Sequence, residues 1–145
     1  MNREDDPEGV SWASFDGRDR GRAYRTSLGI AALAADDNAL FVTEGKIFGG
    51  FNLVRVPHDG SPTQIVAPLL GVTQQTVVSY GTVYFATPLA VQAAPTDGTS
   101  APRQVVEGPT TDFDVQGARI YWIRATGPST TDPMELVTLR LERRP

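Results

Sequence analysis

Short apolar runs, bounded by turn residues and with alternating core positions, recur along most of the chain. Their core positions carry β-branched and aromatic residues, as in Val83-Tyr84-Phe85 and Ile120-Tyr121-Trp122. A period of two with this composition is typical of half-buried β-strands. The pattern therefore predicts an all-β chain with almost no helix.

Three Asp-Gly pairs, Asp16-Gly17, Asp59-Gly60 and Asp97-Gly98, each separate two of these runs and lie roughly forty residues apart. Such spacing with matching flanks is typical of a chain built from copies of one four-stranded unit. Asp-Gly suits a two-residue hairpin, in which both central residues need positive φ. We interpret these glycines as turn residues rather than as a phosphate cradle, because no P-loop lysine follows them and no helix begins there.

Aligning the copies gives two full units and two partial units of antiparallel strands. The first full unit has predicted strands at 30–35, 39–43, 53–57 and 63–67, and the second at 73–78, 82–86, 90–94 and 103–107. A last unit, with strands at 112–115, 119–123 and 136–141, stops after three strands, and 10–15 and 22–28 supply only a third and a fourth strand at the start. We divide the chain into an acidic, disordered tail at 1–9 and a single β domain at 10–145.

Phe41-Val42-Thr43-Glu44 ends the second strand of the first full unit, and residues 53–61 contain a Leu-x-Arg segment followed by Asp-Gly-Ser. In these residues the units resemble the YWTD-type β-propeller repeats of low-density-lipoprotein receptors and of related bacterial repeat proteins. In that family an aromatic pair with Thr-Asp ends the second strand, and an Ile/Leu-x-Arg segment followed by Asp-Gly-Ser closes the third. Tyr84-Phe85-Ala86-Thr87 and Tyr121-Trp122-Ile123-Arg124 keep the aromatics and lack Thr-Asp. The resemblance covers about three blades and implies a β-propeller-like array of four-stranded antiparallel blades with a binding role.

Propellers close a ring with four or more blades, and this chain encodes just over three. One interpretation is that the chain is a fragment of a longer six- or seven-bladed protein. Another is a homo-oligomer in which strand 22–28 of one copy completes the last unit of its neighbour, and both would cover an exposed strand edge. The third is a single open stack.

Charge and composition narrow the partners. The chain has 145 residues, a net charge of −4 and only 13 scattered basic residues, so we expect no nucleic-acid partner. No apolar stretch approaches the length that crosses a bilayer, and we expect no membrane partner. The N-terminus lacks the apolar core of a signal peptide, which predicts a cytoplasmic protein as written, or an exported one if the chain belongs to a longer precursor.

The connections between second and third strands differ from unit to unit, at 44–50, 87–89 and 124–134. Variable loops on a repeated scaffold are where function is usually placed. We therefore select Lys46, Phe48, Arg124 and Asp132 as candidate binding residues. The alternative interpretation is that these loops are solvated connectors.

Candidate chemistry is sparse. With one histidine, His58, and no cysteine, neither a Ser-His-Asp hydrolase nor a zinc site is predicted. Asp36-Asp37-Asn38 and Asp112-Phe113-Asp114 offer oxygen ligands for calcium without the spacing of a calcium loop. We interpret the first as a turn and the second as alternate residues of a strand, and predict no cofactor.

The sequence thus predicts a module that binds a protein or a small-molecule ligand and forms part of a larger ring. One alternative is a carboxylate-dependent enzyme, a lyase or glycosidase, that acts from the loop face, although no pair of acids is singled out. Another is a non-functional remnant of a longer gene. Catalytic residues are not assigned.

Overall fold

The computed structural model describes residues 9–45, 49–69, 75–87, 89–108, 110, 112–127 and 132–141. Strands make up 65% of the described residues, which include no helix. The strands are β1 (Gly9–Ala13), β2 (Arg20–Arg25), β3 (Ile30–Ala35), β4 (Ala39–Gly45), β5 (Phe51–Pro57), β6 (Gln64–Leu69), β7 (Thr76–Ser79), β8 (Thr82–Thr87), β9 (Ala90–Pro95), β10 (Arg103–Glu107), β11 (Asp112–Gln116), β12 (Arg119–Ala125) and β13 (Met134–Arg140). The prediction of an all-β chain is confirmed.

The strands form four antiparallel sheets, and each sheet consists of strands that follow one another in the chain. The first sheet is β1-β2, the second β3-β4-β5-β6, the third β7-β8-β9-β10 and the fourth β11-β12-β13. Every predicted strand overlaps an observed one. The strand predicted at 22–28 ends earlier, at Arg25, because the Thr26 hydroxyl accepts the Leu28 N–H at 3.0 Å in a turn.

Three apolar clusters join the sheets in chain order. Val42 and Val54 belong to the cluster between the first and second sheets. Phe41 and Phe85 belong to the cluster between the second and third sheets. Tyr84 and Trp122 belong to the cluster between the third and fourth sheets. Because successive residues of a strand point to opposite faces, a strand covered on both sides is buried throughout. Residues 39–44 of β4 are accordingly all buried.

Polar side chains add links between the sheets. The Tyr24 hydroxyl donates to Glu44 Oε2 at 2.8 Å between the first and second sheets, and the Thr43 and Thr76 hydroxyls lie 3.5 Å apart between the second and third. Between the third and fourth, the Gln75 amide donates to the Phe113 carbonyl at 2.6 Å and accepts the Phe113 N–H at 3.0 Å.

The opening strands of the last three sheets lie side by side, since β7 contacts both β3 and β11. The sheets do not close into a ring within the described residues. Of the tail predicted at 1–9, only Gly9 is described, and it belongs to β1. The described ranges contain no helix that is long and apolar enough to span a membrane.

The three Asp-Gly turns differ from the two-residue hairpin that the sequence predicts. Gly17, Gly60 and Gly98 have φ of 71°, 80° and 68°, whereas Tyr80 is the sole non-glycine residue with positive φ in the described ranges. Each aspartate instead accepts the backbone N–H two residues ahead, at Arg18 (3.1 Å), Ser61 (2.9 Å) and Thr99 (3.0 Å). The prediction of two positive φ values is therefore wrong, because the carboxylate forms an Asx turn with its own backbone.

Candidate functional site

Two of the four candidate binding residues, Lys46 and Phe48, lie outside the described residues, so their role stays a prediction. Arg124 and Asp132 belong to the β12–β13 hairpin. This hairpin continues past the strands, because both the N–H and the hydroxyl of Thr126 donate to the Pro133 carbonyl at 2.9 Å.

Arg124 forms an ion pair with Glu135, the residue that it faces across the hairpin. Both side chains are partly exposed, and such pairs contribute about 0.2–1 kcal/mol to stability. Asp132 lies against Gly127 so closely that a side chain at Gly127 would overlap its carboxylate. Both candidates thus have contacts within their own hairpin.

The two aspartate clusters considered for calcium have local roles. Asp36 Oδ1 accepts the N–H groups of Asn38 (2.8 Å) and Ala39 (2.9 Å), as a turn requires. Asp114 accepts the Val115 N–H at 2.8 Å and the Gln116 amide at 2.9 Å. Within the described residues, no three His, Cys, Asp or Glu side chains are placed to hold a metal ion together.

A groove of about 610 Å³ lies between the third and fourth sheets, at the opposite end of the sheets from the connection between β12 and β13. Its lining combines residues of the third sheet with a turn and the last described residue of the fourth: Tyr80, Thr82, Tyr84, Ala93, Ala94, Pro95, Ser100, Ala101, Arg103, Gly117, Ala118 and Leu141. Arg103 is the one charged side chain among these described lining residues.

A smaller groove of about 300 Å³ occupies the corresponding gap between the second and third sheets. It contains His58, whose Nδ1 lies 3.3 Å from the Asp37 carbonyl, and Arg55. Arg55 pairs with Phe41, the third residue of β4, and Ala93 pairs with Tyr84, the third residue of β8. Ala93 therefore stands where the smaller groove has an arginine, whose side chain is much larger.

Tyr80 lies at the turn between β7 and β8. Its φ of 48° and the φ of 72° at Gly81 give the two-residue hairpin turn that favours Asn-Gly. A side chain other than Asn, Asp or Gly in this region costs about 1–2 kcal/mol. The tyrosine is nevertheless 76% exposed beside the groove, and such outliers concentrate at functional positions.

Tyr84 lines the same groove and is largely buried. Burial raises the pKa of Tyr84, against smaller opposing effects of the Thr82 hydrogen bond and the Arg103 charge. Its hydroxyl consequently keeps its proton at neutral pH. The groove thus combines a guanidinium group, a neutral phenol and an exposed aromatic ring.

Loop length, by which the candidate residues were selected, does not indicate this groove. The available signal was local: a tyrosine precedes glycine at the turn, and an alanine replaces Arg55 in the next copy. A scan of the chain against protein-family models gave no match, and no curated protein matches it significantly.

Proposed function

We propose that the chain is an arc of a β-propeller-like ring, made of two full and two partial blades, and that it acts as a binding module in that ring. The arrangement of sheets supports the proposal. Each of the middle sheets has four strands in chain order, and their opening strands lie beside one another, as propeller blades require.

One observation carries the proposal, namely the outer face of the fourth sheet. In each of the last three sheets, one apolar residue pairs with the fifth residue of the second strand. These pairs are Leu53 with Thr43 of β4, Val91 with Ala86 of β8, and Leu136 with Ile123 of β12. Leu53 and Val91 are 0% exposed because the following sheet covers them, whereas Leu136 is 72% exposed.

The aromatic residues two positions before Thr43, Ala86 and Ile123 show the same difference in burial. Phe41 and Tyr84 are buried by the following sheet, and Tyr121, the third residue of β12, is only half-buried. Apolar and aromatic side chains at these places fit a face that another sheet covers. The fourth sheet is therefore proposed to continue into a further blade, supplied by a longer chain or by a second copy.

The edge of the fourth sheet supports the same arrangement. In the described residues β13 pairs only with β12. The backbone N–H and C=O groups on the other side of β13 are therefore left for another strand. Such an edge invites pairing unless it is covered. A ring in which this edge and the apolar face are both covered removes two sources of aggregation.

The binding role is supported by the resemblance of the units to YWTD-type repeats and by the variable connections between similar sheets. A rigid scaffold that carries connections of differing length is suited to holding a ligand or a protein.

The proposal is tested by the solution mass of the 15.6 kDa chain, measured by size-exclusion chromatography with light scattering. We expect association that Leu136→Lys reverses, because a charge on the apolar face opposes burial. Leu89→Lys is the matched control, since Leu89 is 77% exposed in a loop, and it should leave the mass unchanged.

A discrete dimer would assign the covering sheet to a second copy, whereas polydisperse association that Leu136→Lys relieves would assign it to missing blades of a longer chain. A cooperatively melting monomer of 15.6 kDa would overturn the proposal.

A further inference from the structure

We propose that the groove between the third and fourth sheets binds a small planar monocarboxylate, with the carboxylate at Arg103 and the flat body beside Tyr80. This inference rests on the proposed binding role and names its ligand class. It does not depend on closure of the ring, since every lining residue belongs to one chain.

The space for the ligand comes from side-chain volume. Ala93 replaces the arginine of the smaller groove, and Ala94, Gly117 and Ala118 add small walls. The resulting volume of about 610 Å³ is about twice the 300 Å³ of the corresponding gap. Grooves of several hundred Å³ accommodate small ligands.

The charge of the groove selects an anion. The protein is acidic overall, with a net charge of −4, yet the groove lining carries a guanidinium and no acidic side chain among its described residues. Arginine presents a planar fork of donors that matches a carboxylate, and charge-assisted pairs of this kind are the stronger hydrogen bonds. The protonated Tyr84 hydroxyl adds a neutral donor.

The shape of the groove selects a flat body. Tyr80 lines the groove from a turn with positive φ and contributes an aromatic side chain to it. The corresponding turn residue of the smaller groove is Asp37, which offers no such face. A guanidinium and a tyrosine ring therefore occur together only in the larger of these two described grooves.

Benzoate is a suitable probe and benzamide its neutral counterpart of the same shape. We expect saturable benzoate binding in the millimolar range by NMR chemical-shift titration, and binding of benzamide weaker by about tenfold or more. Arg103→Gln should weaken benzoate binding by a similar factor, and Arg25→Gln, an exposed arginine of β2, should not.

Ala93→Leu fills the space with an uncharged side chain and should abolish benzoate binding, while Ala93→Ser should preserve it. Thermal unfolding by circular dichroism checks that each variant folds. The inference is overturned if benzoate does not saturate, if benzamide binds equally well, or if a folded Ala93→Leu variant still binds. Such failure leaves the solution mass unchanged and is thereby distinguishable from failure of the ring proposal.

Discussion

Leu53 and Leu136 occupy equivalent positions in two sheets, yet Leu53 is fully buried and Leu136 is 72% exposed. Each pairs with the fifth residue of the second strand of its sheet. The difference arises because the third sheet covers Leu53, while nothing in the described residues covers Leu136. Residues that are equivalent in strand register thus reveal where the stack of sheets stops, and this relation underlies the proposal of a ring.

The Gln75 amide supplies both a donor and an acceptor to Phe113 in the next sheet. Gln75→Ala should lower the free energy of unfolding by about 1–3 kcal/mol, because two backbone groups lose their partner. Urea denaturation measures this. Gln104→Ala, at an exposed position of β10, should change stability by less than about 0.5 kcal/mol. Equal effects of the two substitutions would contradict a linking role for Gln75.

The Asx turns at Asp59 and Asp97 are expected to make the stability of the fold depend on pH in the acid range. Backbone N–H donation from Ser61 and Thr99, followed by their hydroxyl groups, lowers the pKa of each carboxyl below its ordinary 3.8. A depressed folded-state pKa contributes stability above the unfolded value and loses it as pH falls through the folded value. We expect the urea midpoint to fall from about pH 5 downwards. The doubly substituted Asp59→Asn, Asp97→Asn chain should show a flatter acid dependence, and an unchanged slope would contradict this origin.

Tyr24 is expected to add a second pH dependence of stability, at alkaline pH. Burial, followed by the hydrogen bond to Glu44 and its charge, raises the pKa of Tyr24 from 10.0 to about 12. A raised pKa contributes stability that is complete below pH 10 and is lost as pH approaches 12. We therefore expect the difference in tyrosinate absorbance between the unsubstituted chain and Tyr24→Phe to increase only at pH values well above 10. A midpoint of that difference at pH 10 would contradict the Tyr24–Glu44 contact.

Gly98 and Gly60 form a matched pair of turn glycines with φ of 68° and 80°. An added Cβ meets nothing within 4 Å at Gly60, whereas at Gly98 it would lie 3.4 Å from the Val66 Cα in the neighbouring sheet. Both alanine variants should lose about 1–2 kcal/mol from the left-handed conformation. Because 3.4 Å is an ordinary van der Waals contact, the two losses should be similar, as measured by urea denaturation. A much larger loss at Gly98 would show that the neighbouring sheet has to move.

Strand positions were predictable because alternation and turn residues are local properties. β3 and β10 begin and end where the sequence predicted, at Ile30–Ala35 and Arg103–Glu107. The Asp59 turn was mispredicted, since its conformation depends on whether the carboxylate bonds its own backbone. The local signal of the groove, an alanine at position 93 and a tyrosine at the turn, was not sufficient to predict it, because its consequence depends on which sheet packs against it.

The most direct test of the ring proposal is the accessibility of position 136. The chain has no cysteine, so Leu136→Cys and Leu89→Cys each provide a single thiol for maleimide labelling. We expect position 89 to label rapidly at every protein concentration, and position 136 to label slowly in the associated protein and faster on dilution. Equally rapid labelling of both positions at all concentrations would show that the outer face of the fourth sheet remains in water, and would contradict the proposal.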